Sequence, residues 1–341
     1  MSFKDFSPAG DIVDNQLSTI SEPLWSNSEG TLATFYTGSV QSSNSGKYYY
    51  DVHGTNDQTT EVEFAVSYGH RLGSGSEGGS VSGETNPTKA IYSQLRQVLL
   101  PAQTTQFNFH GDSGENFYSN DVFVITINRA RYREKVDPGN WELHLTSGSN
   151  TVKLIDDSGA SGNPTIGASK REFNIVSGSI ADGIHAEASA SAVATNSGSY
   201  GLFYPEMGMI VLNPNALCSG NGNVAAAKYV EEVGTSAASN DYNHRKLYNS
   251  VTAGSFFTAR REEQKRSSFY FCRVPNNEFN HSQNPSFSTG DNAQLVHNSF
   301  ILEPSTYITT VGLYNSNNEL LAVAKLSKPF KKDPNTEALI K

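Results

Sequence analysis

The segment TEVEFAVSYG, residues 60–69, constrains the fold most strongly because apolar residues alternate in it with polar or small ones. The apolar residues fall on one side of an extended chain: Val62, Phe64, Val66 and Tyr68. A period of two over this length predicts a half-buried β-strand. Further strand-like segments, separated by turn residues, occupy 121–133, 140–148, 150–159 and 171–180. This series predicts a sandwich or a mixed α+β domain.

The composition also favours strands over a helical bundle. Charged residues make up only 17% of the chain, so the mean hydropathy of -0.46 reflects uncharged polar residues and glycine. Helical bundles usually fill their exposed faces with Glu, Lys and Arg. The 16 Tyr and 18 Phe suit the pleated surface of a sheet. We therefore predict a mainly β chain of the α+β class, with an antiparallel sandwich-like body, a few short helices and a helical insert.

Charge and targeting signals exclude several classes of protein. The net charge of -9 gives no positive field that would attract nucleic acid, so DNA or RNA binding is not expected. The first residues, MSFKDFSPAGDIVDNQL, lack the basic and apolar segments of a secretory signal, and no run of about 18 apolar residues occurs. We expect a protein of the cytoplasm without a membrane span. Cys218 and Cys272 lie far apart, which favours two free thiols over a disulfide or a zinc site.

The pattern of polar and apolar segments divides the chain into three parts. The first is polar and is predicted to be an extended N-terminal arm that orders on a partner. The second is predicted to be a β-rich domain with one helix, and the third to consist of strands, a helical insert and a C-terminal hairpin. The predicted ranges are 1–45 for the arm, 46–200 for the domain with its helix at 87–100, and 201–341 with the insert at 219–265 and the hairpin at 306–328.

The clearest helix signal is NPTKAIYSQLRQVLLP. Pro87 suits the first turn, Pro101 ends the helix, and the apolar face comprises Ile91, Leu95, Val98 and Leu99. Two further helices are predicted in the insert, in GNVAAAKYVEEVG (222–234) and NDYNHRKLYNSVTAG (240–254).

The C-terminal hairpin lies in TYITTVGLYNSNNELLAVAKLSKPF, residues 306–330. Apolar residues lie on both faces of its first strand, so we expect it to be covered on two sides and to complete the core sheet. Lys325 and Lys328 come near its rim. Two interpretations stay open for these lysines, namely protection of an edge against unwanted strand pairing or docking on an acidic neighbour. The final EALIK is strand-like and pairs with an earlier strand or a partner, unless the natural chain is longer.

GSGSEG, residues 73–78, matches the phosphate-binding pattern G-x-G-x-x-G. That chemistry needs the loop to open straight into a helix whose N-terminus holds the pyrophosphate. Here the segment 79–86 separates the pattern from the predicted helix. A surface loop is therefore favoured over a nucleotide site.

HGDSGE, residues 110–115, contains the GDSG string of chymotrypsin-like serine proteases. Catalysis by Ser113 would need a histidine base and an oxyanion hole. No upstream histidine has a matching sequence context, and Glu115 stands where a glycine usually supports the oxyanion loop. A β-turn is favoured.

Metal sites and paired carboxylates are not indicated either. The eight histidines are scattered without a zinc-binding spacing. Asp156 and Asp157 in LIDDSG would point to opposite faces of a strand, which favours entry into a turn over acid–base work. We expect no catalytic residue, no cofactor and no metal.

Several phrases of the chain carry a resemblance to a known group of proteins: VEFAVSYGHRLGSGS, TKAIYSQLRQVLL, VDPGNWELHL, LIDDSG, YGLFYPEMGMIVLN and the hairpin sequence. In these phrases the chain resembles virion structural proteins of contractile-tailed bacteriophages, particularly those that infect marine cyanobacteria. The resemblance implies a baseplate component, in the wedge, with a neck, sheath-associated or fibre-attachment role as the alternative. It implies no catalytic motif, and it places the protein in the virion tail and, during assembly, in the host cytoplasm.

Three functional hypotheses follow. The first is a non-enzymatic structural subunit that contacts other virion proteins, in many copies or as a homo-oligomer. The second is a module that binds host-surface glycans by stacking Tyr48, Tyr49 and Tyr50 on sugars. The third is a hydrolase that uses Ser113 or dispersed carboxylates. The candidate interface residues are Lys325, Lys328, Tyr48 and Tyr50.

Overall fold

The structure is a computed structural model that describes residues 4–7, 9–37, 48–57, 59–75, 87–109, 116–159, 172–182, 198–218, 229–234 and 243–341. Within these ranges the strands are β1 (Ile12–Pro23), β2 (Thr31–Leu32), β3 (Tyr36–Thr37), β4 (Tyr49–His53), β5 (Phe64–His70), β6 (Phe107–Asn108), β7 (Tyr118–Ser119), β8 (Asp121–Ile127), β9 (Lys135–Ser147), β10 (Asn150–Asp156), β11 (Phe173–Ser177), β12 (Gly201–Tyr204), β13 (Met209–Leu212), β14 (Phe257–Tyr270), β15 (Cys272–Val274), β16 (Ser288–Thr289), β17 (Gln294–Leu295), β18 (Thr306–Tyr314), β19 (Leu320–Lys332) and β20 (Ala338–Ile340). The α-helices are α1 (Pro87–Leu99), α2 (Pro214–Leu217), α3 (Asn243–Gly254) and α4 (Ser299–Leu302), and short 3-10 helices occupy Ser26–Ser28, Arg129–Arg131 and Ile180–Asp182.

Antiparallel strands dominate the structure, which confirms the predicted mainly β, α+β class. Twelve strands form one sheet in the order β1-β14-β9-β10-β11-β12-β13-β8-β5-β4-β3, with β2 paired to β14. Side chains from one face of this sheet meet in one large hydrophobic core. We call this face the inner face and the opposite one the outer face.

The chain forms two compact units whose limits differ from the three predicted parts. The central unit is Thr19–Gln264, and the terminal unit combines Met1–Ser18 with Lys265–Lys341. The two ends of the sequence come together because β1 pairs with β14, and each of these strands contains residues of both units. The predicted boundaries after residues 45 and 200 do not coincide with these limits.

The described part of the predicted N-terminal arm contains three strands, so it is not an arm that orders only on a partner. β1, β2 and β3 all belong to the sheet of the chain itself. The physical reason lies in the apolar residues that follow β1, because Leu24, Trp25, Leu32 and Phe35 are buried in the main core. The free energy gained by burying these four side chains orders the segment on its own chain, although the flanking residues are polar.

The alternation predicted for residues 60–69 is confirmed from Phe64 to Tyr68 in β5, whereas Glu63, which precedes the strand on the predicted polar side, is buried. Phe64, Val66 and Tyr68 are buried on the inner face. Ala65 and Ser67 point to the outer face, as the period of two requires.

Helix α1 covers one part of the outer face. Tyr92, Leu95 and Leu99 pack with outer-face residues of β8, β12 and β13, among them Val122. The close approach needs Gly69 in β5, because a Cβ there would lie 2.9 Å from the backbone nitrogen of Tyr92. The predicted helix is thus present, but its buried face includes Tyr92 while Val98 is exposed.

The predicted insert contains one of its two helices. α3 lies where NDYNHRKLYNSVTAG predicts it and buries Leu247 and Val251 in the main core. The helix predicted at 222–234 is wrong for its described residues 229–234, which are not helical. Val230 instead forms a bridge with Cys218, and Val233 is also buried, so this segment enters the core as extended chain. Residues 222–228 lie outside the described ranges.

The C-terminal hairpin does not complete the core sheet, so that expectation is wrong. β18 and β19 form a separate two-stranded sheet, and β1 and β3 are the end strands of the twelve-stranded one. The hairpin is also not covered on two faces. The final strand-like segment forms β20, which pairs with the earlier strand β15.

Candidate functional site

The exposed apolar face of the C-terminal hairpin is the first candidate interaction surface. Three large apolar side chains are exposed together near the turn of the hairpin: Leu320 (52%), Leu321 (68%) and Val323 (61%). Tyr307 is also exposed (63%), but it pairs with Lys331 at the other end of the hairpin. We call Leu320, Leu321 and Val323 the hairpin surface. Soluble proteins rarely leave such residues clustered and exposed unless the cluster contacts another molecule.

A tight turn and a bulge hold the leucines of the hairpin surface outward. The Asn315 side chain accepts hydrogen bonds from the backbone nitrogens of Asn317 (3.0 Å) and Glu319 (2.8 Å). Leu320 lies opposite Tyr314, whereas Ala322 lies opposite the preceding Leu313, which leaves Leu321 as the extra residue. Such a bulge re-aims side chains, so Leu320 and Leu321 are presented next to each other.

The base of the hairpin is anchored by a buried lysine. The Lys332 ammonium is fully buried and donates to the backbone oxygens of Asn276 (3.0 Å) and Asp333 (2.8 Å) and to Oδ1 of Asn280 (2.6 Å). All three of its donors therefore have acceptors. Thr306 adds a hydrogen bond from Oγ1 to the backbone oxygen of Phe279 (2.9 Å). The hairpin therefore projects from a fixed base.

The structure places the predicted interface lysines on this hairpin. Lys325 and Lys328 are both exposed on β19. Within the described part of the chain neither ammonium forms an ion pair, whereas the neighbouring Lys331 lies 4.0 Å from Oδ2 of Asp333. Two positive charges thus accompany the hairpin surface without an acidic partner among the described residues.

The predicted interface tyrosines lie elsewhere, in the central unit. Tyr48 is exposed, but Tyr50 is half-buried and packs edge-on against His244 and Tyr248 of α3, at centroid distances of 5.0 Å and 5.6 Å. Tyr50 therefore fixes α3 to β4, and the tyrosines do not form a common stacking platform.

A groove on the outer face of the central unit is the second candidate surface. Its floor is a row of four residues in register on neighbouring strands: Asp51 of β4, Ala65 of β5, Thr126 of β8 and Met209 of β13. Ala65 and Thr126 have short side chains, so the surface forms a depression between the longer side chains around them. The groove has a volume of about 620 Å³.

The rim of the groove carries both charges and a flexible apolar wall. Met207 lines it together with the exposed Glu206 and Arg129. The Arg129 guanidinium lies 4.5 Å from the ring centroid of Tyr132 and donates to the backbone oxygen of Arg133 at 2.5 Å, which fixes its position. Burial raises the pKa of Asp51, while the nearby His53 acts in the opposite direction. The groove thus combines the apolar side chains of Ala65 and Met209 with a carboxylate at Asp51 and with acidic and basic groups at its rim.

One group of residues resembles a hydrolase triad in composition but not in connectivity. Ser119 donates to Oδ1 of Asp121 at 3.0 Å, and Asp121 lies opposite His70 in the β5–β8 ladder. The His70 Nδ1 accepts hydrogen bonds from the backbone nitrogens of Leu72 and Ser74, both at 3.1 Å. Burial lowers the pKa of His70 and raises that of Asp121. Because Ser119 is buried and donates to the carboxylate instead of the imidazole, these residues form a structural network.

The adjacent carboxylates of LIDDSG have different roles, as alternation predicts. Asp156 accepts from the backbone nitrogens of Gly139 (2.8 Å) and Ser158 (2.9 Å), which stabilises the turn. Asp157 accepts from the side chain of Asn174 (3.2 Å), and burial raises its pKa to about 6. Neither is arranged with the other for acid–base chemistry.

The remaining sequence motifs add no site to the described residues. The segment with Ser113 lies outside the described ranges, and so do residues 76–78 of GSGSEG. In the described ranges no group of three or more His, Cys, Asp or Glu residues has a geometry that could hold a metal ion. No described helix combines the length and the apolar character needed to cross a membrane.

No protein-family model, no curated protein and no solved structure matches the chain.

Proposed function

We propose that the chain is a non-enzymatic structural subunit of a bacteriophage virion, situated in the baseplate of a contractile tail, and that it works through protein–protein contacts. The hairpin surface is the observation that carries the proposal. The virion setting comes from the resemblance of the strand and turn phrases to tail proteins.

The terminal unit buries little apolar surface of its own. Among its described residues only Val274 and Phe287 are buried hydrophobic residues, whereas the central unit has an extensive core. Compact units are stabilised mainly by burial of apolar area. Apolar side chains are present in the terminal unit, but many are exposed, and Leu302 reaches 87%. A partner that covers them would supply the missing burial, which is what an assembly subunit requires.

The central unit has a different role in this proposal. Its large core makes it stable by itself, so it serves as the scaffold from which contacts are made. The exposed polar and charged residues of its surface suit contacts that form during assembly, since interface rims are usually polar.

The proposal is tested by substituting both leucines of the turn, Leu320→Asp and Leu321→Asp, in the phage that encodes the chain. We expect complete tails to fall at least about tenfold, because charges at a buried interface cost several kcal/mol. The matched control is Leu72→Asp, since Leu72 is similarly exposed (65%) but lies in the central unit. Tails that assemble normally with both hairpin substitutions would contradict the proposal.

A further inference from the structure

The hairpin surface is apolar and is followed by lysines, whereas the groove, which belongs to the other unit, is concave and carries carboxylates. We infer that the hairpin of one copy of the chain docks into the groove of a second copy. This inference rests on the proposed function, since it names one partner of the proposed assembly subunit.

The shapes match at the turn of the hairpin. Leu320 and Leu321 lie next to each other because of the bulge, and the groove has a volume of about 620 Å³ with the small Ala65 on its floor. Met207 and Met209 line the groove, and methionine adapts its shape to an incoming apolar group. The leucines leave water when they enter the groove, which supplies the driving force.

The charges around the two surfaces are opposite. Lys325 and Lys328 follow the leucines on the hairpin, whereas Asp51 and Glu206 lie at the groove. Glu319 precedes the leucines, and Arg129 lies on the groove rim. The charges next to the two leucines are thus opposite in sign to charges at the groove of the second copy.

The net charges of the units favour the same pairing. All of the chain's net charge of -9 lies in Thr19–Gln264, because acidic and basic residues balance in the terminal unit. A hairpin with two free lysines is therefore attracted to the central unit of another copy. Pairing of two hairpins would instead bring like charges together, which disfavours that arrangement.

This contact joins two different surfaces, so a pair of bound copies still offers one free hairpin and one free groove. Such head-to-tail contacts close into rings or extend into filaments. One hairpin is a small interface, so a single contact is expected to be weak and to gain strength from multiple copies.

Complementation between two variants tests the contact most sharply. Sedimentation velocity of the full chain, from about 1 to about 300 µM, is expected to show association that grows with concentration. Leu321→Asp removes the hairpin contact and Met209→Asp removes the groove contact, so each variant alone stays monomeric. An equal mixture is expected to form dimers and nothing larger, since only one good hairpin and one good groove remain in each pair.

Matched controls separate local contacts from general effects of a new charge. Leu302→Asp lies in the terminal unit outside the hairpin and Leu72→Asp lies in the central unit outside the groove, and both are expected to associate like the unmodified chain. Circular dichroism checks that every variant is folded. Glu206→Lys provides a second groove variant at an exposed position, and it is expected to weaken association at least about tenfold, as is the double change Lys325→Glu and Lys328→Glu.

The outcomes distinguish this inference from the proposed function. A chain that stays monomeric throughout the concentration range, or that associates equally well with Leu321→Asp or Met209→Asp, overturns the inference. If the inference is overturned in this way but tails still fail to assemble when the hairpin leucines are replaced, the hairpin binds a different virion protein. The proposed function then stands without the contact between two copies. Hairpin-to-hairpin pairing would show as undiminished association of Met209→Asp and would equally overturn the inference.

Discussion

At the scale of single residues, buried polar groups determine where the structure is sensitive to pH and substitution. Asp157 and Lys332 are the clearest examples. The carboxyl of Asp157 accepts one side-chain hydrogen bond and has a raised pKa because it is buried. Lys332, by contrast, has an acceptor for each of its donors. The Asp157 carboxylate therefore destabilises the folded state when it is charged, whereas the Lys332 ammonium stabilises it.

Replacement of Asp157 by Asn is expected to stabilise the protein at neutral pH. The pKa of Asp157 rises from 3.8 to about 6 on folding, so the folded state binds the proton more tightly than the unfolded state. The free energy of unfolding therefore falls as the pH rises from about 4 to about 6, and the loss persists above this range. Asp157→Asn is expected to recover about 1–3 kcal/mol at pH 7 and close to nothing below pH 4. Urea unfolding at both pH values measures the difference.

Asp291→Asn provides the control for this experiment, because Asp291 is exposed in the terminal unit. This substitution is expected to change the unfolding free energy by less than about 0.5 kcal/mol. An equal effect of Asp157→Asn at both pH values would show that desolvation of its carboxylate is not the cause.

At the scale of elements, the hairpin depends on its anchored base. Lys332→Met leaves acceptors in Asn276, Asn280 and Asp333 without their donor, which costs about 1–3 kcal/mol. Hydrogen-exchange mass spectrometry is expected to show faster exchange, by roughly tenfold or more, in peptides from Thr306–Tyr314 and Leu320–Lys332.

Lys331→Met is the matched control for the anchor, since Lys331 is the exposed neighbour on the same strand. Its substitution is expected to leave exchange of the hairpin nearly unchanged, as surface ion pairs contribute little. Faster exchange with Lys331→Met than with Lys332→Met would contradict the anchoring role of the buried ammonium.

Elements with a strong local pattern are the ones that the sequence predicts. The alternation in β5, the proline-bounded helix α1 and the second helix of the insert are all present. The helix prediction for residues 229–234 is wrong. The local residues favour a helix, but burial of Val230 in the core stabilises an extended conformation.

The candidate surfaces differ in how far the sequence reveals them. Lys325 and Lys328 are identifiable because they lie on a recognisable hairpin, but the exposure of that hairpin depends on which strands end the main sheet. The groove is invisible in the sequence, because its floor combines Asp51, Ala65, Thr126 and Met209 from four strands. Only the register of the sheet brings these residues together.

At the scale of the whole molecule, the central unit provides the hydrophobic core and the terminal unit provides the exposed contact surface. The central unit holds the main core and the groove, while the terminal unit carries the hairpin surface and few buried apolar residues. A chain built in this way suits a particle in which many copies supply burial for each other and for their neighbours. The proposed role in a phage tail follows from this division together with the resemblance of the strand and turn phrases.

Electron cryo-microscopy of the intact phage particle tests the proposed role most directly. The expected result is density for the chain in the baseplate of the contractile tail, with Leu320, Leu321 and Val323 covered by a neighbouring protein chain. Particles that lack the chain, or that contain it with this hairpin surface facing solvent, would contradict the proposal.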